Sequence, residues 1–134
     1  MALGSLGAKR GFVDRDQFIA LVQEVWDQLP EPFAAKLENV VLLVDDEPSP
    51  ELLRSLGLNP RSDTLFGLYQ GVPLSQRGAA FGNHPPDTIT IFYRPLVRRF
   101  RTTDRLRREI ERTIVHEVAH YFGMSEREIR KLGY

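Results

Sequence analysis

The chain has 134 residues, in which 18 lysines and arginines balance 18 aspartates and glutamates, with three histidines and no cysteine. This length suits a single core, and the balanced charge gives no general attraction to nucleic acid or anionic membranes. The lack of cysteine excludes disulfides and thiolate zinc sites, and no apolar run approaches the roughly 18 residues that span a bilayer.

We expect residues 1–11 to form a flexible segment and residues 12–134 a single domain. The first segment is rich in small residues and lacks the long apolar stretch of a secretory signal, so we expect a cytoplasmic protein. The first helix is predicted to begin near Asp14 or Asp16. Its apolar face repeats at helical spacing: Phe18, Leu21, Val22, Val25 and Trp26.

Short elements follow the break at Pro30 and Pro32. We predict helices over 33–37 and 51–56, the second of them stopped by Gly57. Three runs have the composition of strands: Val40 to Val44, Thr64 to Gln70 and Thr88 to Tyr93. Together with a long helix near the end of the sequence, these elements predict an α+β fold.

The long helix is predicted over residues 103–122. Apolar residues recur in it every four positions: Leu106, Ile110, Ile114, Val118 and Phe122. His116 and His120 fall almost opposite the centre of that stripe, so they do not belong to the main core. Imidazoles four residues apart lie on one helix face and can bind one metal ion from the same side.

Glu117 completes the run His116-Glu-Val-Ala-His120, which is the H-E-x-x-H pattern of zinc-dependent hydrolases. Its side chain points about 100° away from His116, close enough to reach a water molecule on the ion without being a ligand. We therefore predict Zn²⁺ bound by His116 and His120, with Glu117 as the catalytic general base. The alternative is a pair of surface histidines on a solvated helix face.

A third ligand is expected just beyond the helix, because catalytic zinc usually has three protein ligands. Gly123 can adopt the left-handed conformation that ends a helix, and Ser125 is predicted to cap a last helix with Glu128 in a capping box. Glu126 stands six residues after His120, the offset of the third ligand in H-E-x-x-H-x-x-G-x-x-H sites. Glu128 is a second candidate, and an ordinary acidic residue in a first helical turn is the alternative for Glu126.

Three blocks, at residues 65–74, 87–96 and 114–125, carry a family resemblance. Through them the chain resembles the small bacterial zincin-like metallopeptidases, the single-domain minimal zincins, over about residues 12–134. The resemblance implies a small mixed sheet packed with about four helices, bound zinc and a peptidase role. The family pattern commonly ends in aspartate at the third ligand position, where this chain has the longer Glu126.

The expected partner is a peptide or protein substrate, extended along a sheet edge formed by Thr88 to Tyr93. Tyr69, Tyr93 and Tyr134 are candidate donors to the oxyanion, although packing roles are the commoner explanation. His84, in the loop before the third strand, is expected to be a surface residue.

The alternative function is a non-catalytic metal-binding or regulatory module. The segment 94–112 holds eight arginines, a feature of modules that bind nucleic acid or acidic partners. Asp104, Glu109 and Glu111 interleave with them, and the segment offers no aromatic stacking platform. We therefore expect a solvated helix face rather than a nucleic-acid site.

Overall fold

The computed structural model describes residues 13–71 and 86–134. The predicted flexible segment at residues 1–11 and the loop histidine His84 lie outside the described residues. The described elements, in chain order, are α1 (Arg15–Asp27), α2 (Phe33–Lys36), β1 (Val40–Asp45), α3 (Pro50–Ser55), β2 (Gly67–Gln70), β3 (Asp87–Phe92), α4 (Tyr93–Arg99), α5 (Thr103–Tyr121) and α6 (Glu126–Lys131).

The fold is α+β, as predicted, with one small mixed sheet in the order β1-β3-β2. Strand β3 pairs parallel with β1 and antiparallel with β2. Six helices lie in the described ranges rather than the predicted four or so, and three of them have six residues or fewer. None of the helices in these ranges is long and apolar enough to cross a membrane.

Helix α5 is the central element of the core, since it contacts α1, α2, α4, β2 and β3. The predicted stripe is confirmed for four of its five members, because Leu106, Ile110, Ile114 and Val118 are all fully buried. The fifth, Phe122, lies just past the helix end and is 44% exposed. Residues Ile89 and Ile91 of β3 are fully buried on the sheet face that packs against the helices.

Helix α1 begins where the sequence predicts. Asp14 is the N-cap, and its carboxylate accepts a hydrogen bond from the Gln17 N–H at 2.8 Å. The side chain of Gln17 in turn accepts from the Asp14 N–H, which completes a capping box. The reciprocal hydrogen bonds with Gln17 therefore make Asp14, rather than Asp16, the residue at which the helix begins.

Helix α4 has no counterpart among the predicted elements. The strand predicted to end at Tyr93 ends at Phe92, and Tyr93 is the first residue of α4. Proline is tolerated in a first helical turn, so Pro95 fits at the third position of α4. The Tyr93 hydroxyl donates to the Val13 carbonyl at 2.7 Å, and the ring packs edge-on against Phe18.

The position of β3 corrects one functional expectation. Because β3 pairs on both sides, its main-chain groups are already used and it offers no edge to a substrate. Strand β2, within the described residues, pairs on one side only. The Phe92 N–H donates to the Phe66 carbonyl at 2.9 Å, and by antiparallel alternation the main-chain groups of Gly67 and Tyr69 face away from β3.

Strand β2 and helix α5 approach each other closely at Gly67. A Cβ atom at this position would lie 2.7 Å from the Thr113 methyl group and 3.1 Å from the Thr90 carbonyl oxygen. The approach therefore depends on the missing side chain of Gly67.

We predict that Gly67→Ala lowers the free energy of unfolding by about 1–3 kcal/mol, the usual cost of inserting a methyl group into a packed contact. The measurement is urea unfolding monitored by circular dichroism. The double variant Gly67→Ala/Thr113→Ala removes the closest clash, so it should lose less stability than the two single changes add up to. Simple additivity would show that Gly67 and Thr113 do not share this contact.

Candidate metal centre

Helix α5 presents both histidines on one face near its last turn. His116 is partly buried and His120 is exposed, and their ring centroids are 5.8 Å apart. This confirms the placement of the pair outside the main core, since the helix buries Ile114, Val115 and Val118 on its other side.

A reversal of the chain after α5 brings Glu126 back to His120. Gly123 has a φ of 81°, and its N–H donates to the His120 carbonyl at 3.1 Å. The Met124 N–H donates to the Ala119 carbonyl at 2.8 Å. These two bonds form a Schellman motif, which needs a residue that tolerates positive φ.

Ser125 then starts helix α6 as its N-cap, as predicted, in a capping box with Glu128. The Glu128 carboxylate accepts from the Ser125 N–H at 2.8 Å, which lowers the pKa of Glu128. Glu128 is therefore used in the cap. Its neighbour Glu126 is the first residue of α6 and faces the histidines.

Three potential ligand atoms, from His116, His120 and Glu126, all lie within 4.8 Å of one another. The Oε2 atom of Glu126 is 2.6 Å from Nε2 of His120. This contact lowers the pKa of Glu126, so its carboxylate is anionic near neutral pH. Two imidazoles and one carboxylate are a ligand set that zinc accepts in catalytic sites.

The Nε2 atom of His116 is buried and, among the described residues, has no hydrogen-bond partner. A buried polar atom without a partner costs about 1–3 kcal/mol, so such an atom calls for an explanation. Burial also lowers the pKa of His116, which the Glu126 carboxylate opposes. Its ring is therefore neutral near pH 7 and has a lone pair for a metal ion, so the residues present fit zinc.

Glu117 lies on the side of α5 that faces strand β2. The Tyr69 N–H donates to Oε1 of Glu117 at 3.0 Å. Burial raises the pKa of Glu117, although the bond from Tyr69 and the nearby His120 pull it down. The contact with Tyr69 could not be found from residue types, because it uses the main chain of a strand whose register is set by tertiary pairing.

A cleft of about 320 Å³ opens next to Glu117 and His116. One wall is residues 64–67, leading into and including the start of β2, and the other is the face of α5 from Glu109 to Glu117. The candidate metal centre thus adjoins both the side of β2 that faces away from β3 and an open space.

The three candidate tyrosine donors all have protein partners. The hydroxyl of Tyr69 donates to Asp87 at 2.9 Å, that of Tyr93 to the Val13 carbonyl, and that of Tyr134 to Glu111. None of the three is therefore an unused donor for an oxyanion.

The arginine-rich segment makes contacts within the domain. Arg98 pairs with Glu47 at 3.3 Å, and Arg107 pairs with Glu24. Arg99 and Arg105 lie over the ring of Phe100, which is only 7% exposed. A ring this buried cannot serve as a stacking platform for bases.

Comparisons with known proteins identify a family and a shared fold. The family model described as Zincin-like metallopeptidase matches residues 37–134. A conserved hypothetical protein from Thermus thermophilus has a similar structure, with a TM-score of 0.52 and 22% sequence identity. The match covers 81% of this chain and 94% of that one, and it shows the shared fold. The search of curated proteins found no match.

We predict one zinc ion per chain, and a loss of zinc affinity of more than tenfold in Glu126→Ala, because a direct ligand is lost. The measurement is titration of the metal-free protein with zinc against a competing chelator. The matched control is Glu128→Ala, which should bind zinc normally but lose about 1 kcal/mol of stability through the weakened cap. Equal zinc affinity in Glu126→Ala and the unmodified protein would show that Glu126 is not the third ligand.

Proposed function

The chain belongs to the zincin-like metallopeptidase family, and from that membership we propose that it is a zinc-dependent peptidase with Glu117 as its general base. His116, His120 and Glu126 would hold the metal. The observation that carries the proposal is the convergence of these three ligand atoms beside a half-buried glutamate and an open cleft.

Zinc held by these residues would supply an acidified water molecule and would polarise the carbonyl of the bond to be cleaved. Glu117 takes the proton from the attacking water and passes it to the nitrogen of the leaving amine. Burial raises the pKa of Glu117 and so increases its proton affinity. A base that must first bind the proton and then return it needs a pKa closer to neutrality than that of an exposed carboxylate.

Helix α5 makes the division of roles possible. The carboxylate at position 117 is turned toward β2, where the Tyr69 N–H holds it, whereas the rings at positions 116 and 120 face Glu126. The base is therefore oriented by a bond separate from the metal ligands.

The substrate is proposed to be an extended peptide segment that lies along β2. The main-chain groups of Gly67 face away from β3, and residues 64–67 line the cleft, whereas the Tyr69 N–H is already bound to Glu117. An extended peptide can pair with such groups as an added strand. This replaces the expectation from the sequence that the run Thr88 to Tyr93, most of which lies in β3, would receive the substrate.

We predict that Glu117→Gln binds zinc with the affinity of the unmodified protein and cleaves peptides at least about 100-fold more slowly, since general-base catalysis contributes about 10²–10⁴-fold. Glutamine keeps the size of the side chain and an oxygen for the Tyr69 N–H. The measurement is mass-spectrometric cleavage of a diverse peptide mixture by zinc-loaded protein, with chelator-treated protein as the blank. Unchanged cleavage by the variant would exclude Glu117 as the base. If the unmodified protein binds zinc but cleaves no peptide, the result favours the alternative of a non-catalytic metal-binding module.

A further inference from the structure

Arg112 is the member of the arginine-rich segment that lies beside the candidate metal centre. It is an exposed residue of α5 and lines the cleft of about 320 Å³ together with His116 and Glu117. Because Arg112 and His116 are four residues apart, they lie on the same helix face, one turn from each other. Of the described residues that line this cleft, Arg112 is the one lysine or arginine.

The guanidinium of Arg112 is not used within the described part of the chain. Arg98 pairs with Glu47 and Arg107 pairs with Glu24, whereas the side chain of Arg112 makes no ion pair or hydrogen bond with residues 13–71 or 86–134. An arginine side chain keeps its charge at all ordinary pH values and has five N–H donors. These donors are therefore available to a ligand in the cleft.

Glu109 also lines the cleft but does not neutralise Arg112. No ion pair joins the two side chains, although residues three apart on a helix are neighbours. Along the helix axis, Glu109 lies about 10.5 Å before His116, and Arg112 only about 6 Å before it. A ligand group close to the metal centre therefore meets the guanidinium before it meets the Glu109 carboxylate.

Two polar side chains that neighbour Arg112 in the cleft are already bonded. The Thr113 hydroxyl donates to the Glu109 carbonyl at 2.7 Å, and the Glu117 carboxylate accepts from the Tyr69 N–H. Arg112 therefore stands out as the charged donor for an anionic group that enters the cleft. Clefts that bind ligands measure about 300–1,000 Å³, so this one has room for a short peptide segment.

We propose that Arg112 determines the specificity of the site: it binds a carboxylate of the substrate in the cleft, one turn of α5 away from the metal ligands. The inference rests on the proposed function and deepens it, because it names the substrate class as peptides that carry a carboxylate on one side of the cleaved bond. The planar fork of a guanidinium matches the two oxygens of a carboxylate. Aspartate and glutamate side chains present this group, and so does the C-terminus of a peptide.

The first test measures binding without cleavage, by fluorescence anisotropy with zinc-loaded Glu117→Gln. The probes are four dye-labelled peptide mixtures, which contain no charged residue at their random positions. Three have an amidated C-terminus and a fixed glutamate, glutamine or lysine, and the fourth has a fixed glutamine and a free C-terminus. A salt concentration of about 0.15 M screens charges that are more than about 8 Å apart.

We expect a mixture with a carboxylate to bind about 10-fold more tightly than the amidated glutamine mixture, because hydrogen bonds between charged groups are the strong ones. Preference for the fixed glutamate identifies a side-chain carboxylate as the ligand, and preference for the free C-terminus identifies the terminal one. Equal affinity for the four mixtures, or binding of none of them, overturns the proposal.

The second test changes the charge at position 112. Arg112→Gln should abolish the preference, and Arg112→Glu should reverse it in favour of the lysine mixture. The matched control is Arg108→Gln, which removes the same charge from an exposed residue one turn earlier on α5 that does not line this cleft. The control should keep the preference. If the preference survives in Arg112→Gln, or is lost equally in Arg108→Gln, Arg112 does not bind the carboxylate.

Cleavage by the unmodified zinc-loaded protein separates this inference from the proposed function. We expect the products to place a carboxylate at a fixed distance from the cleaved bond, and Arg112→Gln to raise KM for such substrates about 10-fold with a smaller change in kcat, since Arg112 binds away from the reacting atoms. Cleavage without any preference for a carboxylate overturns the inference alone. Absent cleavage overturns the peptidase function alone, if the binding preference still depends on Arg112.

Discussion

The reversal of the chain at Gly123 is the constraint on which the candidate metal centre depends. An α-helix can place two imidazoles on one face, but residues further along the same helix move away from them at about 1.5 Å each. A third ligand from nearby in sequence therefore requires the helix to stop at once. The Schellman bonds from Gly123 and Met124 achieve this within two residues of Phe122 and return Glu126 to within 2.6 Å of His120.

The spacing of residues along β2 matches the spacing along α5, and this match places Glu117 in the candidate site. Gly67 meets Thr113, Tyr69 meets Glu117 and Gly71 meets Tyr121. Four helical residues rise about 6 Å, and two strand residues advance about 6.6 Å. The strand and the helix therefore remain in step over two turns. Glycine stands at both ends of this contact, where a Cβ atom would come within 3 Å of α5, and this closeness brings the Tyr69 N–H to the Glu117 carboxylate.

Local signals in the sequence were sufficient for the helix-based parts of the site. The capping box of Ser125 and Glu128, the left-handed Gly123 and the placement of His116 and His120 depend on residues within one or two turns of one another, and the structure confirms each of them. The order of the strands could not be predicted in this way, because it is decided by pairing between residues far apart in sequence. Nothing in the alternation of residues 88–92 indicates that β3 is the central strand and β2 an edge strand. The contact of Tyr69 with Glu117 was also out of reach, since it uses the main chain of Tyr69, whose partners residue types do not reveal.

The two glutamates beside the histidines show how position alone shifts the pKa of identical side chains in opposite directions. Glu117 is partly buried against β2, and burial raises its pKa. Glu126 is exposed at the start of α6, and the contact with His120 lowers its pKa. A metal ligand must remain anionic, whereas a general base must bind a proton and release it again. The opposite shifts fit the two roles proposed for these carboxylates. They also agree with the geometry, because the exposed Glu126 lies against His120 and the half-buried Glu117 lies beside the cleft.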